Sequence, residues 1–176
     1  YRVTPFGEAT RPHLARRLTP SDEYTVWTVE LRRGVRWSDG HPFTADDFVF
    51  WWNDVVNDPA NGLIPETMRV EGEPGTLERV DDFTLRYTFP KPHPGFAVMQ
   101  TTAAAALHMP GPAHYLRQFH PKYGDSNLIA RIAAENKIRP EQVVRLRSSA
   151  LNPERPSLAP WILRTCARVA RIVRCN

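Results

Sequence analysis

The sequence predicts an α/β chain organised as an α+β subdomain, a small mixed sheet with flanking helices. Three stretches carry that prediction. "YTVWTVELRRG" alternates so that Trp27, Val29 and Leu31 share one face. "RVDDFTLRYTF" does the same with Phe83, Leu85, Tyr87 and Phe89. Between them, Phe48, Trp51, Trp52 and Val55 recur at spacings of three and four, the period of a helix with one apolar stripe.

The first strand is preceded by turn chemistry in "TPSDE" and ends near Gly34. After Trp37, "SDGHP" predicts a tight corner in which Gly40 takes a positive φ and Pro42 sets the chain direction. A helix then begins: Thr44 is the N-cap, Asp47 falls at N3, and Phe43 and Phe48 form a hydrophobic staple. Asp46 and Asp47 lie in the first turn, where a carboxylate gains about 0.3–1 kcal/mol from the helix dipole. The helix is expected to run to about Val56 and to stop before "NDPANG". Asp81-Asp82 reads as a turn, with Val80 closing the partner strand of the hairpin. "PKPHPG" breaks regular structure, a short helix carries Tyr115, Leu116 and Phe119, and "DSNLIARIAAENKIRPEQVV" forms a further helix lined by Leu128, Ile132 and Ala133.

The 176 residues, 41% of them hydrophobic, suffice for one core or for a piece of something larger. The net charge of +4 is unevenly placed: residues 131–176 hold ten Lys/Arg against three Asp/Glu, whereas residues 1–130 hold thirteen against sixteen. The aromatic residues sit in the acidic part and are not interleaved with arginine, which argues against a nucleic-acid partner. No apolar run reaches the roughly 20 residues of a membrane span. The chain starts at Tyr1, which suggests that processing or truncation removed its start.

Catalytic signatures are missing. His13, His41, His93, His108, His114 and His120 include no i, i+4 pair in a helix, so no metal site is expected. Cys166 and Cys175 have no neighbouring histidine and form no C-x-x-C, so neither a catalytic thiol nor a disulfide framework is expected. Asp46 and Asp47 point about 100° apart on a helix and cannot flank one bond as a glycosidase pair would. Asp81/Asp82 and Asp22/Glu23 read as turn residues. Trp51 and Trp52, being adjacent, cannot face one layer, so one of them could serve as a stacking platform.

With those residues placed, "WTVELRRGVRWSDGHPFTADDFVFWW" closely resembles the signature region of family 5 extracellular solute-binding proteins, the peptide- and oligopeptide-binding components of ABC importers. Leu31, Arg32, Gly34, Val35, Trp37, Ser38, Asp39, Gly40, Pro42, Phe43, Thr44, Ala45, Asp46, Asp47 and Phe50 match its pattern. "PHLARRLTPSDEYTVWT", "VDDFTLRYTFPKP", "AHYLRQFHPKYGD" and "NPERPSLAPW" are similar to other family segments in the same order.

The resemblance implies a partial lobe I of a type II periplasmic-binding-protein fold over residues 1–161, followed by a divergent basic tail at 162–176 related to truncation. It implies a non-enzymatic, cofactor-free protein, periplasmic or extracellular, with a lipid anchor in the full-length form left open. Its partners would be a peptide or other small solute and the permease subunits of an ABC transporter. An incomplete lobe is expected to bind solute weakly or not at all. Solute contacts are not assigned, because the matched motif builds the fold. The alternatives are a binding protein of the same family for nickel or sugar oligomers, a non-transport interaction module that keeps only the lobe I subdomain, and an enzyme without a recognised motif.

Overall fold

A computed structural model of the protein describes residues 2–3, 10–11, 14–58, 64–99, 110–149 and 152–158. Its centre is a four-stranded sheet of β3 (Ala15–Pro20), β4 (Val26–Leu31), β7 (Thr76–Asp81) and β8 (Thr84–Thr88), in the order β3-β4-β8-β7. Two short pairs lie outside it, β1 (Arg2–Val3) with β2 (Thr10–Arg11) and β5 (Arg69–Val70) with β6 (Glu73–Pro74). Every pairing among the described residues is antiparallel, where the sequence leads one to expect a mixed sheet. For two of the three pairings in the central sheet the reason is connection length. Residues 21–25 join β3 to β4 and residues 82–83 join β7 to β8, and such short links can only reverse the chain, whereas a parallel pair needs a crossover of about a dozen residues or more.

The alternating pattern sorts the faces as expected. Trp27, Val29 and Leu31 of β4, Leu85 and Tyr87 of β8, and Phe89 just beyond it are buried together, while Phe83 is half-buried. Val80 departs from the reading: the β7–β8 ladder skips it between Arg79 and Asp81, and the side chain is 49% exposed. The strands at the two edges carry Arg16, Arg17, Glu78 and Arg79, charges that discourage pairing with another chain.

Beyond β4 the chain turns through Gly34 (φ +82°) and Gly40 (φ +88°), conformations a side chain rarely adopts. The second corner is closed by Trp37 N–H donating to the His41 carbonyl at 2.8 Å. Phe43, fully buried, then sits edge-on to both Trp37 and Phe48, with ring centroids 5.5 Å apart in each case. That is the predicted staple with one more ring added. Helix α1 (Ala45–Phe50) continues as a π-helical segment, Trp51–Val56, in which Asn57 N–H reaches back five residues to the Trp52 carbonyl at 3.0 Å.

The helix therefore ends where the sequence places its end, but its wider winding changes which side chains are covered. Phe50, Trp52, Val55 and Val56 are buried, and Phe48 and Trp51 are only half-buried. The widened turn lets one helix serve two cores. Trp52 and Val56 join the sheet, while Phe50 and Val55 meet Ala113, Leu116 and Val144.

The second half is helical. Phe96 of α2 (Phe96–Met99) caps the sheet core against Trp27 and Tyr87. Helix α3 (Ala113–Leu116) runs on as a 3-10 turn, Arg117–Phe119. Helix α4 (Ser126–Asn136) is capped by the Asp125 carboxylate, which accepts from Asn127 N at 2.8 Å. It buries Ile129, Ile132 and Ala133 against Phe119 and against Val143 of α5 (Val143–Arg147), while Leu128 is only half-buried.

Phe43→Ala should cost about 3–5 kcal/mol of stability, whereas Val80→Ala should stay within about 0.5 kcal/mol. Urea denaturation of the two variants checks both values.

Candidate functional site

The strand-to-helix motif that carries the acids is also where the structure concentrates its long-range polar contacts. The corner at 38–41 and the helix start at 44–47 bring Asp39, Asp46 and Asp47 to one side, and each takes hold of a different residue of the segment 113–117.

Asp47 is the buried member, at 3% exposure. Its Oδ1 accepts the Ala113 N–H at 2.8 Å, and its Oδ2 accepts Thr44 N–H at 3.0 Å and the Trp37 indole N–H at 3.1 Å. Burial pushes its carboxyl above the ordinary range, and the three donors pull against that without cancelling it. Asp39 Oδ2 lies 2.7 Å from His114 Nε2, and its Oδ1 accepts the His41 N–H at 3.1 Å. Burial acts to raise the Asp39 carboxyl, but the bonds from His114 and His41 outweigh it and hold the group below the ordinary range. The His41 ring stacks on His114 with centroids 3.8 Å apart. Asp46 pairs with Arg117 at 2.8 Å, and that guanidinium also lies over the Phe50 ring at 5.3 Å.

The grip extends along the helix. Asp54 accepts from the Tyr123 hydroxyl at 3.1 Å, has Lys122 at 3.5 Å, and its carbonyl oxygen lies 2.9 Å from His120 Nε2. Ser38 and Ser157 bond reciprocally, Ser38 N to Ser157 O at 2.8 Å and Ser157 N to Ser38 Oγ at 3.0 Å.

Chemically, this cluster is a fastening. Both oxygens of Asp47 are occupied, and Asp46 and Asp47 face different partners, so the two do not flank a common bond. His93 is buried against Phe89 and Phe96 with Nε2 3.3 Å from the Thr67 carbonyl. Among the described residues no three His, Cys, Asp or Glu side chains form a group that could hold a metal ion. Asp81 accepts from Phe83 N–H at 2.7 Å in the hairpin turn, and Asp82 pairs with Arg79. Trp51 is the half-buried partner of the buried Trp52, with ring centroids 6.4 Å apart. His13, His108, Cys166 and Cys175, together with the predicted tail at 162–176, lie outside the described residues.

The sequence reading passes over an open cleft of about 460 Å³ at the end of β4. Leu31, Val35 and Phe83 form its apolar lining, and Arg16, Glu30, Arg32 and Arg33 its charged lining. Arg33 lies over the Phe83 ring at 4.6 Å, while Glu30 pairs with Arg16 and lies 3.8 Å from Arg17. The signal available in the sequence is the doublet Arg16-Arg17 and the doublet Arg32-Arg33. Only the β3–β4 register, which sets Ala15 opposite Leu31 and Arg17 opposite Glu30, brings them together.

Asp39 and Asp47 should give opposite pH signatures. The depressed carboxyl of Asp39 contributes stability that is present above the ordinary carboxyl range and is lost as pH falls through its lowered value, below about pH 4. The raised carboxyl of Asp47 binds its proton more readily in the folded state, so its contribution grows as pH falls from neutrality towards about pH 4. Thermal melts carried from neutrality into stronger acid than the ordinary carboxyl range should show the wild type first gaining relative to Asp47→Asn and then losing its margin over Asp39→Asn.

Comparison with known proteins places these observations in a lineage. The profile described as bacterial extracellular solute-binding proteins, family 5 Middle, matches residues 9–136. A periplasmic alpha-galactoside-binding protein of Rhizobium meliloti (strain 1021) is 40% identical over 116 residues, covering 64% of this chain and 16% of that protein. Among solved structures, an oligopeptide-binding protein OppA superposes with a TM-score of 0.70 at 33% identity, covering 85% of this chain and 23% of that one. The periplasmic binding protein MelB of Agrobacterium fabrum C58, solved with stachyose, gives a TM-score of 0.60 at 29% identity over 82% of this chain and 21% of that one. The chain thus spans between about a sixth and a quarter of the length of these relatives. With a family profile matched across the sheet, the acidic fastening and the whole of α4, the chain belongs to the family 5 bacterial extracellular solute-binding proteins.

Proposed function

We propose that this chain is part of lobe I of a two-lobed binding protein, and that the whole protein captures peptides or oligopeptides outside the cytoplasmic membrane for an ABC importer. The observation that carries this reading is the superposition on an oligopeptide-binding protein over 85% of the chain. Residues 1–161 would form the lobe I piece and 162–176 a divergent basic tail. The acidic fastening then has a mechanical role. A lobe that closes on a solute must move as one body, so that contacts made only in the closed form shift the population towards closure.

A second solute class has its own support. The identity of 40% to an alpha-galactoside-binding protein, and the likeness to a protein solved with stachyose, favour a neutral sugar oligomer. The fold is common to both classes, so solute chemistry must be decided in the cleft.

Two measurements test these readings. Calorimetry on this chain with tri- to pentapeptides and with stachyose should give affinities weaker than micromolar, because one lobe supplies only part of the closed-state contacts; micromolar or tighter binding would sink the lobe I assignment. Deleting the gene that encodes the sequence should abolish uptake of labelled peptide. Loss of stachyose uptake with peptide uptake intact would replace the first solute class by the second.

A further inference from the structure

We infer that the open cleft at the end of β4 is a docking surface for an acidic segment of another protein, one that presents an apolar side chain between its carboxylates. The cleft has a volume of about 460 Å³ and two kinds of lining. Its floor is apolar: Leu31 is buried, and Val35 and Phe83 are half-buried. Gly34 stands beside that floor at φ +82°, and a Cβ placed on it would meet no atom within 4 Å, so the space above it is open.

The rim is charged, and unevenly. Arg16, Arg17, Arg32 and Arg33 gather there, and the acids that face them are Glu30 and Asp81. Both acids are already engaged. The β3–β4 register slips between Ala15 and Arg17, a bulge that re-aims a side chain so that Arg16 and Arg17 both reach Glu30 on the facing strand. Asp81 accepts the Phe83 N–H at 2.7 Å in the hairpin turn, and its carboxyl feels the charge of Arg33. Two carboxylates against four guanidinium groups leave the rim positive, and a positive rim selects an acidic partner.

Arg33 is the anchor. It is exposed, and its guanidinium lies over the Phe83 ring at 4.6 Å, a placement that orients planar N–H donors able to take a carboxylate in two parallel bonds. All four cations are arginines, the cation that protein interfaces concentrate while lysine is depleted. A free anion would use the rim alone and stay hydrated, because charges this exposed are screened by salt. A segment that lays an apolar side chain on Leu31, Val35 and Phe83 displaces the water over the floor and strengthens the arginine contacts at the same time. The inference holds for either solute class above.

The test uses the ¹⁵N-labelled chain and an acetylated, amidated pentapeptide of sequence Glu-Leu-Glu-Phe-Glu. The peptide should move the Gly34, Val35 and Thr84 amides saturably, with an affinity between millimolar and micromolar that falls as sodium chloride rises from about 0.05 M to about 0.5 M. The same peptide with glutamine in place of glutamate should bind about tenfold more weakly or worse, and sodium acetate at matched ionic strength should leave these amides in place. Arg33→Gln, a change at an exposed side chain, should weaken the acidic peptide about tenfold. Lys91→Gln, beyond the far end of β8 and paired with Glu71, should not. The inference is overturned if charged and neutral peptides bind alike, if acetate alone reproduces the shifts, or if Arg33→Gln binds as tightly as the wild type. It is equally overturned if these amides move with the concentration of the chain by itself, because the occupant is then a second copy.

Discussion

The rest of the structure hangs on one buried carboxylate. Asp47 joins three pieces of chain: the indole of Trp37 in the corner, the backbone of Thr44 three residues before it at the helix start, and the backbone of Ala113 sixty-six residues away, which has no reason to meet the others on local grounds. A charge at 3% exposure is costly to desolvate, and only a full set of donors makes it tolerable. Because the donors come from separate elements, the carboxylate penalises every arrangement in which one of them is absent. It acts as a specification of geometry, and its raised pKa is the trace of that cost.

Around this point the weaker contacts line up. Asp39 and Asp46 hold His114 and Arg117, the residues one and four places beyond Ala113, so a single short helix is gripped along its length by one motif. The Asp46–Arg117 pair is half-exposed and worth about 0.2–1 kcal/mol by itself. Its contribution is to orient Arg117 over Phe50, which belongs to the same apolar cluster as Ala113 and Leu116. The π-helical turn is what allows α1 to reach that cluster while Trp52 stays in the sheet core. Apolar burial supplies most of the stabilisation, and the polar contacts decide which apolar faces meet.

For function, this means that the most acidic and aromatic stretch of the chain is framework. Its carboxylates are engaged, its tryptophans are packed, and the membership of the family 5 solute-binding proteins rests on that framework. The open cleft at the end of β4, lined by Arg16, Arg32, Arg33 and Glu30, lies apart from this fastening.

Much of the fold was legible in advance because it is local. Alternation assigns Trp27, Val29, Leu31, Leu85 and Tyr87 to one face, and Thr44, Asp47, Phe43 and Phe48 announce a helix start, since capping and stapling involve residues three and five apart. The sense of the sheet, the π winding after Phe50 and the bulge that expels Val80 were not legible, because each depends on what lies across from the residue in space. The same holds for the site. The sequence by itself determined that Asp46 and Asp47 begin a helix and that Ser38-Asp39-Gly40 turns a corner. Only the tertiary structure decided that Asp47 accepts from Ala113, that Asp39 holds His114, and that Ser38 and Ser157 bond to each other. Hydrogen bonds between residues sixty or more positions apart have no period and no spacing rule, so they exist as information only once the chain has folded.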